Sequence, residues 1–191
     1  MIGDRRFTLS RFLRGLAGTE PEAGRPVAAG AMVVRLDEAV VPLTNALQDL
    51  GRPWRYRVGP AGRDHADPAV VELTGTARTE ALKPMSPVHV TGSRTGEGIR
   101  LAWIRRTRRD GDAWEPVDVP LGEDFERYEV EIIRGNSAVR VLATPLPAVL
   151  YPASHELADF GTPQATLRIR VTQMSATVAH GFARVADVLV R

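Results

Sequence analysis

Apolar residues recur at every second position in three stretches of the chain's second half: Ile99-Arg-Leu-Ala-Trp103, Tyr128-Glu-Val-Glu-Ile132 and Leu167-Arg-Ile-Arg-Val171. A two-residue period puts one set of side chains on a buried face and the other in water, so each stretch predicts a half-buried strand. Turn signals such as Asp110-Gly111 and Gly135-Asn136-Ser137 separate them. Strands at this spacing predict a two-sheet β-sandwich. The same pattern predicts further strands at 88–90, 138–142, 148–151 and 182–190, and a helical turn at 155–160. Trp103 is the largest candidate for the core, with an indole N–H that needs a partner once buried.

The first half is patterned differently. Phe7, Leu9, Phe12, Leu13 and Leu16 fall at helical spacing, which predicts a short amphipathic helix over 7–16; Thr8 or Ser10 would cap it, and Gly15 or Gly18 would end it. Pro, Gly, Ala and Glu dominate 19–30, a loop. Two short apolar runs, 31–36 and 39–43, predict strands, the second at an edge because of Pro42. A helical turn is expected at 45–50, and strands at 54–58 and 70–74 around the turn Gly59-Pro-Ala-Gly62. Lys83-Pro-Met-Ser-Pro87 holds the backbone extended and reads as a hinge. The expected architecture is therefore mainly β: a small β-rich domain with one short helix over 1–83, then the sandwich over 84–191.

Composition narrows the chemistry. The chain has no cysteine, which excludes disulfides, thiolate metal sites and a cysteine nucleophile. No apolar run approaches the roughly 18 residues of a membrane-spanning helix, and the N-terminus lacks the apolar segment of a secretory signal. Membrane insertion is not expected. All basic residues but Lys83 are arginine, yet the formal net charge is only +2. That is too small an excess for a nucleic-acid partner to be expected.

Catalytic motifs are missing. His155-Glu156 begins like the zinc-protease helix, but Asp159 stands where the second histidine belongs. Gly96-Glu-Gly98 lacks the third glycine of a dinucleotide loop and reads as a turn. No catalytic residue, cofactor or metal is expected, and the chain reads as a non-enzyme. Carboxylate pairs sit in turns or, for Glu129 and Glu131, on the outward face of a strand. The candidate interaction surface is the cluster Arg105, Arg106, Arg108 and Arg109 with Trp114, in a long connection that ends near Glu126. Guanidinium groups beside an indole suit phosphate binding, in nucleic acid or lipopolysaccharide. The alternative is a solvated loop, since Asp110, Asp112 and Glu115 follow at once.

Two resemblances add to this reading. Ser86-Pro87, Trp103, Tyr128-x-Val130, Leu167-x-Ile-x-Val171 and Gly181 resemble a fibronectin type III domain, except that Leu167 stands where that family has the tyrosine of its corner. In such a sandwich the strand bearing Arg168 and Arg170 neighbours the one bearing Glu129 and Glu131, which would pair opposite charges. A second resemblance spans nearly the whole chain. Leu9-Ser-Arg-Phe-Leu-Arg-Gly15 with Gly18-Thr-Glu20, Tyr56-Arg-Val-Gly59, Pro84-Met-Ser-Pro-Val-His89, Trp103-Ile-Arg-Arg-Thr-Arg108, Gly111-Asp-x-Trp114 and Asp118-Val-Pro-Leu-Gly-Glu123 look like the C-terminal part of phage tail-tip host specificity proteins. The likeness is greatest to the large baseplate protein of alphaproteobacterial gene transfer agents. It implies a C-terminal fragment or separately encoded piece, made in the bacterial cytoplasm and placed in the virion at the tail tip. Its implied partners are other tail or baseplate subunits, in a homotrimeric assembly, and a cell-surface glycan or protein receptor. The alternative expectation is an accessory carbohydrate-binding or adhesion module, with Trp114 and Tyr151 stacking on sugars.

Overall fold

The computed structural model describes residues 8–11, 13–15, 19–38, 40–41, 43–111 and 118–191. The chain is mainly β, with antiparallel sheets, and forms two compact units, Met1–Ala81 and Leu82–Arg191.

The second unit has two facing sheets. One is β3 (Val88–Thr95), β4 (Gly98–Ile104) and β7 (Ala148–Pro152), in the order β3-β4-β7. The other contains β5 (Tyr128–Arg134), β6 (Ser137–Thr144), β8 (Thr166–Ser175) and β10 (Arg184–Leu189), in the order β10-β8-β5-β6; the short β9 (Ala179–His180) pairs with β8. Helix α1 (Ala153–Phe160) joins β7 to β8. All three alternating triplets point into one core, with Tyr151 and Val188 added from β7 and β10. The register sets Val130 against Val171 and Ile132 against Ile169, so the triplets of β5 and β8 lie side by side. Trp103 meets the edge of Tyr128 with ring centroids 5.1 Å apart. Among the described residues its indole Nε1 finds no hydrogen-bond partner, and neither does the amide of buried Gln173.

Gly92 allows β3 to reach the opposite sheet. A Cβ there would lie 2.8 Å from Val188 Cγ1. Without one, Gly92 bridges Val190 in parallel, and Arg94 N–H donates to Arg191 O at 2.6 Å. The proline segment at 83–87 belongs to this packing: Pro84 and Pro87 are buried, and Pro84 O accepts the Phe182 N–H at 2.9 Å.

The first unit contains one hairpin, β1 (Pro53–Val58) against β2 (Val71–Thr76). Trp54, Tyr56 and Val58 lie opposite Gly75, Leu73 and Val71, so one face is apolar throughout, while Arg55, Arg57, Glu72 and Thr74 occupy the other. The expected helical turn at 45–50 is a 3₁₀ turn, Leu47–Asp49, with the Asp49 carboxylate accepting the Ala46 N–H.

Three expectations need correction here. The run 31–36 is not a strand, nor are the described residues of 39–43, because β1 and β2 pair only with each other and leave these runs no partner. Branched residues favour strands only through packing against neighbours, and Val33, Val34 and Val41 are mostly exposed. The expected helix over 7–16 is absent from residues 8–11 and 13–15; Phe7, Phe12 and Leu16 lie outside the described residues. No described residue of this unit is buried.

Candidate interaction surface

The expected basic cluster begins where β4 stops. β4 ends at Ile104, and Arg105 turns towards the far end of the 105–126 connection. Its guanidinium donates to Pro120 O at 2.8 Å and Val119 O at 2.9 Å, and lies 3.5 Å from Asp118 and 3.7 Å from Glu126. Glu126 in turn accepts the Tyr128 hydroxyl at 2.7 Å. Burial, and then this bond to a carboxylate, push the Tyr128 phenol well above its usual pKa. Arg108 grips the same connection one turn on, donating to buried Glu123 at 2.8 Å; the other Glu123 oxygen accepts Ser175 Oγ at 2.8 Å.

Arg105 and Arg108 therefore fasten the connection to the sandwich. Arg106 is half-buried and Arg109 exposed. Trp114 lies outside the described residues. A shallow cavity of about 400 Å³ opens where the connection enters β5, lined by Phe125, Arg127, Ala143 and Pro145 among others. Phe125 is exposed, so this end presents an aromatic ring beside an arginine.

Two further charged groups, at helix α1, are not evident from the sequence. Glu156, 1% exposed, accepts both terminal nitrogens of Arg94 at 3.0 and 3.1 Å and the Gln164 N–H at 2.6 Å. Arg94 also donates to Gln164 O at 2.8 Å. The Arg94 bonds hold the Glu156 carboxyl below its ordinary pKa against the opposing effect of burial. One turn on, Asp159 accepts two bonds from Arg140, at 2.7 and 2.9 Å, and one from Tyr151 Oη at 2.8 Å; the bonds from Arg140 likewise depress its pKa. Glu156 and Asp159 are the residues that make 155–159 look like an incomplete zinc motif. Their three-residue spacing puts both on one helix face, where each meets an arginine from a different strand. The network also fixes the entry to β8: Arg94 and Glu156 clamp the Gln164 backbone just before that strand.

Tyr151, a candidate for sugar stacking, is fully buried under Asp159 and presents no ring to solvent. On the outer face of the sheet, Arg170 lies opposite Glu131 and donates to it at 2.7 Å, and Arg168 pairs with Asp187 at 3.7 Å. Glu129 faces Thr172 instead.

Acid–base catalysis works best with a group whose pKa lies near the working pH. The resolved shifts run the other way: Glu156 and Asp159 go down, Arg94, Arg140, Tyr128 and Tyr151 go up, and each is held more firmly in its usual charge state. Among the described residues no three His, Asp or Glu side chains gather to hold a metal ion, and no helix is long and apolar enough to cross a membrane.

No family model and no curated protein matches this chain. Among solved structures, domains d3–d4 of the rat CD45 extracellular region are similar to it at 10% identity, with a TM-score of 0.38, over 98% of this chain and 83% of that one. At that score the likeness carries no argument about fold or function.

Proposed function

We propose that the chain is a non-enzymatic structural component of a phage or gene-transfer-agent tail tip or baseplate, contributing to host attachment. One observation carries this reading. Two of the sequence blocks that resemble tail-tip host specificity proteins, 103–108 and 118–123, bind each other: Arg105 holds the carbonyls of Val119 and Pro120, and Arg108 pairs with Glu123. Residues that resemble the family in order and spacing thus form one physical device, which fixes a long connection onto the sandwich. The fibronectin type III assignment has similar support, because the strand orders β3-β4-β7 and β10-β8-β5-β6 correspond to the two sheets of that fold. The outer surface of the 105–126 connection, with Arg109 and Phe125 exposed, is the contact face in this reading.

Antibodies raised against the purified chain test the assignment by immuno-electron microscopy of particles from the source bacterium. Label at the distal tail, and adsorption reduced by preincubating cells with the chain, are expected. Unlabelled particles, together with glycan-array binding abolished by Trp114→Ala, would replace the reading with a carbohydrate-binding module.

A further inference from the structure

The first unit has surface that water should not cover. Of the 24 large apolar side chains exposed among the described residues, 15 belong to residues 9–73. Eight of them form two sets. One is the hairpin face, where Trp54, Val58, Val71 and Leu73 are 44–57% exposed. The other is the run at 31–36, where Met32 is 88% and Leu36 82% exposed. An isolated two-stranded hairpin is at best marginally stable in water; a third strand or a covering layer makes it stable. An unpaired, β-branched run has the complementary deficiency, having side chains for a sheet but no edge to join.

We propose that this unit is completed by a second copy of the same chain: residues 31–36 of one copy add as a strand to the hairpin of the other, and the apolar faces so formed close on each other. Three observations favour a second copy. First, both halves of the interface are in one sequence. The period of two puts Met32, Val34 and Leu36 on one side of the run, matching the three apolar residues Trp54, Tyr56 and Val58 of β1. Within a single chain the run does not pair with the hairpin, since β1 and β2 bond only to each other and both sets stay largely exposed. Second, the exposed apolar part of these two sets amounts to roughly 300–600 Å², taking about 60–120 Å² for each side chain scaled by its exposure, and only a little over half of an interface is apolar. A standard interface needs about 800 Å² from each partner. Third, the unit carries eleven arginines against ten carboxylates over 1–81, so two copies do not repel each other. The proposal is independent of the tail-tip reading, because it depends only on the uncovered surface of this unit.

Sedimentation velocity of the full chain tests it, from about 1 to about 100 μM, the upper end of the range that interfaces of this size span. The expected result is a concentration-dependent assembly of two or more 20.8 kDa chains. Leu36→Asp in the run and Leu73→Asp on the hairpin each raise the dissociation constant at least tenfold. Val141→Asp, on the exposed outer face of the sandwich, leaves it unchanged. Near-UV circular dichroism confirms that each variant keeps its sandwich. A 20.8 kDa monomer at every concentration would overturn the proposal, as would an assembly that survives both substitutions. A chain that stays monomeric alone but binds a different tail protein would overturn the second copy as the occupant.

Discussion

The two units have similar apolar material and opposite outcomes. In the sandwich, three alternating triplets from β4, β5 and β8 lie 5% exposed or less, in one core. In the first unit Trp54, Tyr56 and Val58 alternate just as cleanly, yet none is buried. The difference lies in partners, not in propensity. β4, β5 and β8 each have a neighbour on both sides and a facing sheet, whereas β1 has one neighbour and an open face. Alternation tells a strand which side to bury, and only topology supplies something to bury it against.

Substitutions can sharpen this contrast, beginning with the core. Ile169→Ala should lower the unfolding free energy of the sandwich by about 2–5 kcal/mol. Met32→Ala, in the open unit, should change it by no more than about 0.5 kcal/mol in dilute protein. Urea melts followed by near-UV circular dichroism measure both.

The Arg94–Glu156 pair should show an asymmetry of its own. Arg94→Ala leaves a carboxylate 1% exposed with only one N–H donor, a loss of about 3–5 kcal/mol. Glu156→Gln leaves Arg94, 39% exposed, free to reach water, so its effect should be nearer about 2 kcal/mol. Equal effects would mean that the burial of Glu156 is unimportant.

Acid should act on the sandwich through the same helix. Glu156 and Asp159 have folded pKa values below their unfolded ones, which are about 4.3 and 3.9. Their stabilisation is therefore complete above that range and is lost as pH falls through the folded values. The melting temperature should be flat from neutral pH to about 5 and fall below about 4, and Glu156→Gln should flatten the fall. The smallest expected effects are opposite in sign. Gln173→Met removes a buried amide without a partner and should stabilise by about 1 kcal/mol, whereas Arg170→Ala should cost less than about 1 kcal/mol because its pair with Glu131 is half in water.

The sandwich was legible because its strands obey a local rule. The expected strands near 88, 99, 128, 138, 148, 167 and 182 all appear, with ends shifted by a few residues. The pairing of Arg170 with Glu131 also follows from strand order. What alternation could not show was long-range: that Arg105 leaves β4 to hold carbonyls 14 and 15 residues on, and that Arg94 meets a carboxylate 62 residues away. A single arginine in a strand has the same appearance in sequence whether it is solvated or buried against a carboxylate. The runs at 31–36 and 39–43 misled for the converse reason. They have the composition of strands, and composition is silent about whether an edge is there to receive them.

Amide hydrogen exchange followed by mass spectrometry, at several protein concentrations, tests the central contrast most directly. The account predicts strong, concentration-independent protection of β4, β5 and β8, with protection of β1, β2 and 31–36 appearing only as the chain associates. Protection of β1 and β2 equal to that of the sandwich in fully dissociated protein would contradict it.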